Sequence, residues 1–222
     1  MLTLKGKKVY SELQELIDPA HTALLIIDMC NEPTHQKGYF HNKGADLTAV
    51  ADIVEPIARL AEAARKAGVL VVHAQQANLP DGRTDSPAWL RLKSIAYKFT
   101  EADEANDDYC IDGTWGAQIN ERLAPQPGDV VAKKQHASAF IGTNTDMILR
   151  SGGIETVVVT GTSSYGCVLN TVMDASCLDY YVVVGEDVVA GPNKALHAAA
   201  LSIMRSRHDM AKAEDLLKIW NK

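Results

Sequence analysis

The chain lacks the features that would tie it to a membrane, to nucleic acid or to a disulfide framework. No apolar run approaches the roughly 20 residues of a membrane-spanning helix. The first residues, MLTLKGKKVYSELQELIDP, have no apolar centre of the kind a secretion signal needs. Positive charge is in deficit: Lys and Arg number 22 against 28 Asp and Glu, a net charge of −6. With no basic run and no aromatic-basic interleaving, the electrostatic footprint of a nucleic-acid partner is missing, and an anionic membrane surface would repel the chain. Cysteine is sparse. Cys30, Cys110, Cys167 and Cys177 form no CxxC pair and have no His partners at zinc-finger spacing, so neither a disulfide framework nor a structural zinc site is expected. There is no internal repeat and no low-complexity linker. These absences predict a soluble, cytoplasmic protein.

What the sequence does hold is a repeated strand-helix rhythm. Its 222 residues, 46% of them hydrophobic, suffice for one large α/β domain over residues 1–222. Short apolar runs at Ala23–Ile27, Val69–His73, Val157–Thr160 and Tyr181–Val184, with a weaker one at Val130–Ala132, alternate with helical patterns. Strands buried on both faces read this way, so a mostly parallel sheet with helices on both faces is expected, in a three-layer, Rossmann-like arrangement. Met210–Lys212 would add a sixth, short strand. Val50, Val54, Ile57, Leu60, Ala61 and Ala64 recur at helical spacing, with Gly68 as the stop and Pro56 at a helix start or kink. Further helices are expected at Asn144–Arg150, Cys167–Leu178, Lys194–Arg205 and Ala213–Trp220. Residues 78–112 break the rhythm. This acidic insertion carries Trp89, Tyr97, Phe99 and Tyr109, and long insertions in α/β domains serve as lids or contact surfaces.

In parallel sheets, ligands gather at the carboxyl ends of the strands. Three such ends carry reactive groups: Asp28 after ALLII, Lys133-Lys134 after VVA, and Cys167 at the helix start after VVVTG. Each has an unremarkable alternative, as a turn or helix cap, a solvated lysine and a buried small residue respectively. The glycines Gly161 and Gly166 are spaced as in a phosphate-binding loop, but Cys167 and Val168 stand where that loop needs Lys and Ser or Thr. A thiol at a helix start faces unpaired N–H groups that favour the thiolate. The helix supplies only about 0.3–1 kcal/mol, whereas lowering a thiol pKa by two units takes about 2.7 kcal/mol. A base or cation must therefore contribute. Asp28 would raise the thiol pKa by repulsion yet can accept its proton, and a lysine can hold that carboxylate in place. Nucleophile, base and cation together suit acyl transfer.

The blocks Leu25-Ile26-Ile27-Asp28-Met29, Gly113-Thr114-Trp115-Gly116 with Leu123-Ala124-Pro125 and Gly128-Asp129, Lys134 with Ser138-Ala139-Phe140, and Gly161 to Thr171 with Asp174-Ala175 resemble the isochorismatase-like cysteine hydrolase superfamily. The resemblance runs over about residues 20 to 215, in the family's order. It implies a catalytic triad of Asp28, Lys134 and Cys167, and prefers Lys134 to Lys133. It also implies a non-proline cis peptide at Thr162-Ser163, which would turn the Ser163 N–H beside that of Cys167 as an oxyanion hole. Nicotinamidase-like members hold a metal with one Asp and two His, in a tryptophan-His-Pro type block after the second strand. Here His73-Ala74-Gln75-Gln76-Ala77-Asn78 occupies that place, so no metal and no other cofactor are expected. Relatives are commonly dimers or tetramers, and a homodimer or homotetramer is expected.

The function these residues point to is amide hydrolysis. A small carboxamide, ureido or carbamoyl compound would form a thioester on Cys167 and release ammonia or an amine. Asn31, Tyr39, His136, Phe140 and Tyr165 are expected to bind the substrate. Two rival readings are hydrolysis of a vinyl ether without covalent chemistry, as in some relatives, and a non-catalytic binding protein on the same fold.

Overall fold

The computed structural model describes residues 1–97 and 109–222; Phe99, counted above among the insertion's aromatics, lies outside the described residues. Strands β1 (Leu2–Leu4) and β2 (Lys7–Val9) form an antiparallel hairpin that the sequence pattern does not announce. It turns at Lys5 and Gly6, both at positive φ. The main sheet holds β3 (Thr22–Ile27), β4 (Leu70–Gln76), β5 (Val130–Lys134), β6 (Thr156–Thr162), β7 (Tyr181–Ala190) and β8 (Asp209–Ala211). Their spatial order is β5-β4-β3-β6-β7-β8, and every neighbouring pair is parallel.

Alternation along the strands separates two apolar layers. Leu24 and Ile26 of β3 and Val158 of β6 face the helices Val54–Ala67 and Ala213–Trp220. Ala23, Leu25 and Ile27 with Val157 and Val159 face the other way, onto Leu149, Val172, Ala175, Ala200 and Met204. Those residues belong to the helices Thr145–Ser151, Leu169–Cys177 and Lys194–Arg205. Helices thus cover both faces, which is why the strands read as unbroken apolar runs. The helix Val54–Ala67 stops where expected, with Gly68 left-handed at φ 86° and its N–H on the Ala64 and Arg65 carbonyls.

The strand order has one reversal. The chain builds outward from β3 through β4 to β5, then returns to the other side of β3 for β6. Beyond the carboxyl ends of β3 and β6 the connections diverge, leaving the crevice where such sheets bind ligands. The two strands come unusually close there. Gly161 of β6 sits at φ +109°, and a Cβ on it would overlap the Ile27 carbonyl oxygen. Three strands also run further than the sequence pattern indicates, because polar residues hide the continuation: Gln75 and Gln76 at the end of β4, Lys133 and Lys134 at the end of β5, and Glu186 and Asp187 in the middle of β7. Among the described residues, no helix is long and apolar enough to cross a membrane.

Candidate active site

Asp28 follows the last residue of β3. It adopts φ +50°, in the left-handed region, and its N–H donates to the Ala74 carbonyl oxygen at 2.9 Å. Aspartate tolerates that conformation better than most side chains, and the turn leaves a carboxylate only 6% exposed at the mouth of the sheet.

Lys134 closes β5, two strands away, which at a strand spacing of about 4.8 Å is a separation of nearly 10 Å. Only a long side chain bridges that gap. Lys134 crosses the end of β4 fully buried, and its Nζ reaches Asp28 Oδ2 at 2.8 Å. Along the way it donates to Gln76 Oε1 at 2.8 Å, to the His136 carbonyl oxygen at 2.9 Å and to Cys167 Sγ at 3.4 Å. The neighbouring Lys133 points the other way, as strand alternation requires, and forms an exposed pair with Asp112 at 2.7 Å. The lysine ambiguity of the sequence is thereby resolved at the level of geometry.

The third group follows β6. The Thr162-Ser163 peptide is cis. Next comes a π-helical turn, Ser164–Val168, in which the Gly166 and Val168 N–H groups both donate to the Ser163 carbonyl oxygen, at 2.9 and 3.1 Å. The α-helix begins only at Leu169, so Cys167 sits within a wide turn rather than at an α-helix start as expected. Ser164 is fully buried and its Oγ lies 2.9 Å from His197 Nδ1. The Ser138-Ala139-Phe140 block is tied to the same region, since the Ala139 N–H donates to Thr171 Oγ1 at 3.0 Å.

Electrostatically the cluster is a buried ion pair beside a neutral thiol. Burial opposes the charge on Lys134, but Asp28 and Cys167 beside it outweigh that and raise its pKa. For Cys167 the order is burial first, then the Asp28 charge, with Lys134 opposing; together they push the thiol up to about 12. This opposes the expectation that the helix start would favour the thiolate: Cys167 is half-buried, and a carboxylate shares the surroundings of its sulfur. Asp28 Oδ1 is buried and accepts no hydrogen bond from the described residues.

The expected substrate contacts are placed unevenly. Asn31 is buried and already engaged: its N–H donates to the Gln118 carbonyl oxygen and its Nδ2 to that of Trp115, at 2.9 and 2.8 Å. Tyr39 joins an aromatic group, 5.2 Å from Phe40 and 5.4 Å from Tyr109 between ring centroids. His136 meets Trp89 of the insertion at 4.7 Å while its carbonyl holds Lys134. Phe140 is buried in the core against Tyr180, at 5.8 Å. Tyr165 lies over Gly191, where a Cβ would come within 2.7 Å of its ring.

One residue at the reacting groups is not singled out by the sequence. Gln76 contacts Lys134 directly. Tyr97 and Tyr109, 5.8 Å apart between centroids, have hydroxyls whose pKa values are raised, first by burial; Cys167 contributes to both, and Asp28 to that of Tyr97. The insertion therefore brings two buried phenols within electrostatic reach of the thiol. The only advance signal is its aromatic content.

The nicotinamidase-type metal donors do not assemble. His73 is buried within β4 with its Nε2 3.3 Å from Asp129, which Arg65 also holds, at 2.7 Å. Among the described residues, no group of three or more His, Cys, Asp and Glu side chains is placed to hold a metal ion.

Comparisons with known proteins agree with this architecture. The chain is 37% identical over 191 residues to the ureidoacrylate amidohydrolase RutB of Methylorubrum extorquens, covering 83% of this chain and 76% of that protein. Its fold is similar to that of an isochorismatase family protein from Desulfovibrio vulgaris, with TM-score 0.76 and 29% identity over 90% of this chain and 98% of that one. N-carbamoylsarcosine amidase from Thermoplasma acidophilum superposes with TM-score 0.68 and 26% identity, covering 87% of this chain and 97% of the other. The family model described as the isochorismatase domain matches residues 22–215, and with the reversed sheet and the Asp-Lys-Cys cluster both inside that span, the chain belongs to the isochorismatase family.

Proposed function

We propose that this protein is a cysteine-dependent amidohydrolase that cleaves the C–N bond of a small carboxamide, ureido or carbamoyl compound through a thioester, releasing ammonia or an amine. The observation that carries this reading is a single ammonium, Lys134 Nζ, 2.8 Å from the Asp28 carboxylate and 3.4 Å from the Cys167 sulfur. Relatives named as ureidoacrylate amidohydrolase and N-carbamoylsarcosine amidase favour a ureido or carbamoyl substrate over a vinyl ether.

The raised thiol pKa constrains the order of events. With the thiol pKa raised by burial and by the Asp28 charge, the nucleophile forms by proton transfer as the substrate binds. Asp28 Oδ1 takes the proton and the sulfur attacks the carbonyl carbon. The developing oxyanion is received by the Ser163 and Cys167 N–H groups. Loss of one such donor in other hydrolases costs about 2.7–4 kcal/mol. The proton on Asp28 then passes to the departing nitrogen as the C–N bond breaks. Asp28, again a carboxylate, activates a water that hydrolyses the thioester. Lys134 holds the carboxylate in register.

The test is an ammonia-release screen across small amides, ureas and ureido acids, with Cys167→Ala as the blank. Turnover of one of these that disappears in Cys167→Ala, together with a thioester adduct trapped on Cys167, is the expected result. Activity that survives Cys167→Ala would overturn the covalent mechanism and favour the vinyl-ether reading.

A further inference from the structure

The turn that presents Cys167 is held from two sides. Among the described residues, two side-chain hydrogen bonds tie Ser164–Val168 to elements other than the helix it leads into. Lys134 reaches Cys167 Sγ from the end of β5, at 3.4 Å, and His197 reaches Ser164 Oγ from the helix Lys194–Arg205, with its Nδ1 at 2.9 Å. The first bond belongs to the reacting groups. The second lies outside them, and nothing in the hydrolysis so far uses it.

Ser164 opens the turn and is fully buried. Its hydroxyl makes no other hydrogen bond among the described residues, so without His197 a polar atom would be enclosed unpaired. The pairing therefore fixes the backbone three residues before the sulfur. His197 is itself carried by a rigid element: it stands in the first turn of its helix, where the Asn193 side chain accepts the Leu196 N–H at 3.0 Å. The same helix sends Ala200 and Met204 into the apolar layer that holds Val168. The end of β7 closes on the turn as well, since a Cβ on Gly191 would come within 2.7 Å of the Tyr165 ring, 3.0 Å of Ser163 Oγ and 3.1 Å of Ser164 Oγ. Burial lowers the His197 pKa, so the ring is neutral near pH 7. Either tautomer satisfies the pair, with Ser164 donating to a bare Nδ1 or accepting from Nδ1–H.

We propose that His197 is a positioning residue for Cys167: through Ser164 it fixes the turn from which the sulfur and the Ser163 and Cys167 N–H groups meet the substrate carbonyl. Its one hydrogen bond among the described residues is to Ser164, so it acts through that residue. The proposal rests on the reading of Cys167 as the nucleophile, but its main readout needs no substrate. Burial and the Asp28 charge, the two largest influences on the thiol, both keep it protonated. A turn released at Ser164 lets the sulfur leave that place, so the thiol is alkylated faster while catalysis is lost.

The experiment is the rate of Cys167 alkylation by iodoacetamide at one fixed pH, mapped by peptide mass, in the wild type, His197→Leu, Ser164→Ala, the two together, and His197→Asn. Cys30 and Cys110, both buried, report any general opening in the same digest and should stay unlabelled. Removing either partner should speed Cys167 alkylation about 5-fold or more, and the double change should add little to either single one. Asparagine, whose amide meets Ser164 where Nδ1 does, should stay near the wild type. Where a substrate is known, His197→Leu should lose about 10- to 100-fold in kcat with KM nearly unchanged, and His197→Asn should recover most of it. Ser164→Ala removes a single atom and carries the test if His197→Leu does not fold. Wild-type rates in the folded variants, additive effects in the double change, or His197→Asn behaving as His197→Leu would overturn the proposal. So would Cys30 and Cys110 labelled alongside Cys167 in Ser164→Ala, which marks a general loosening. Faster alkylation in the variants, with no amide turned over by the wild type, would sink the proposed reaction and leave His197 as the anchor of the turn.

Discussion

Replacing Asp28 with asparagine should make Cys167 more acidic and the protein less active. Both effects follow from one geometry. Asp28 Oδ2 and Cys167 Sγ share Lys134 Nζ as a neighbour, at 2.8 and 3.4 Å, so they lie within about 6 Å of each other. At an effective dielectric of about 20, a unit charge at that distance acts on a thiolate with about 2.8 kcal/mol, or roughly two pKa units. The neutral amide removes this repulsion while Lys134 remains, so the alkylation midpoint of Cys167 should fall by about two units from its value of about 12. Turnover should fall by about 10²–10⁴, because the group that takes and returns the proton is gone. The measurements are an iodoacetamide rate profile against pH and ammonia release from an active amide or ureido compound. An alkylation profile that stays put would show that the carboxylate does not act on the sulfur, and full turnover in Asp28→Asn would remove it as the base. The change leaves Lys134 buried without its counter-ion, a situation that costs about 3–5 kcal/mol elsewhere. A thermal melt therefore comes first, and the double change Asp28→Asn with Lys134→Met, which removes both charges, serves if the single variant is unfolded.

At the lysine pair, Lys134→Met should cost orders of magnitude in turnover and Lys133→Ala almost nothing, since Lys133 and Asp112 form an exposed surface pair of little energetic weight; the reverse ranking would refute the assignment. Gly161→Ala should lower unfolding stability by more than about 3 kcal/mol, because φ +109° is closed to alanine and its Cβ would overlap Ile27; a denaturant midpoint equivalent to less than about 1 kcal/mol would count against that contact. His73 is buried with its pKa lowered, chiefly by burial against the opposing pull of Asp129. The unfolded chain therefore takes up that proton first, and the contribution of His73, complete above its ordinary pKa of about 6.5, is lost as pH falls through the lowered folded value. His73→Gln should flatten the decline of the melting temperature between about pH 7 and 5, and an unchanged slope would clear His73 of that role. Chelator treatment should leave ammonia release unchanged, and activity lost on chelation and restored by a divalent ion would refute a metal-free mechanism.

The fold is legible because its strands are buried on both faces. A run such as Ala23–Ile27 can hardly be anything else, and the β7–β8 end of the sheet follows from the same pattern. Strand ends are less legible. Gln75, Gln76, Lys133 and Lys134 are polar because they reach past the core, and polarity is what the pattern reads as the end of a strand. The positions of Asp28, Lys134 and Cys167 can be named from spacing and family likeness, yet the character of the thiol cannot. Helix-start logic points toward the thiolate, and the fold instead supplies a half-buried cysteine beside a carboxylate, with the α-helix starting two residues later. Burial is a tertiary quantity, and here it reverses the local electrostatic argument. Gln76 and the placement of Tyr97 and Tyr109 escape notice for a related reason: each owes its place to a contact across the fold, with the Tyr97 and Tyr109 rings 5.8 Å apart although the insertion's chain separates them.

A buried Asp-Lys pair beside a protonated thiol is a poor way to make a nucleophile if the aim is a standing thiolate. It fits a different requirement. A thiol held near pKa 12 is a poor target for stray electrophiles and oxidants, which react with the ionised form. The carboxylate that suppresses the thiolate is also the acceptor its proton must reach, and Asp28 Oδ1 accepts no hydrogen bond from the described residues. Proton transfer there becomes favourable once the sulfur begins to bond to a carbonyl carbon, because the charge then moves onto the carbonyl oxygen and away from Asp28. Discrimination between a substrate and an arbitrary electrophile then depends on whether the incoming group offers an oxygen at the Ser163–Cys167 turn.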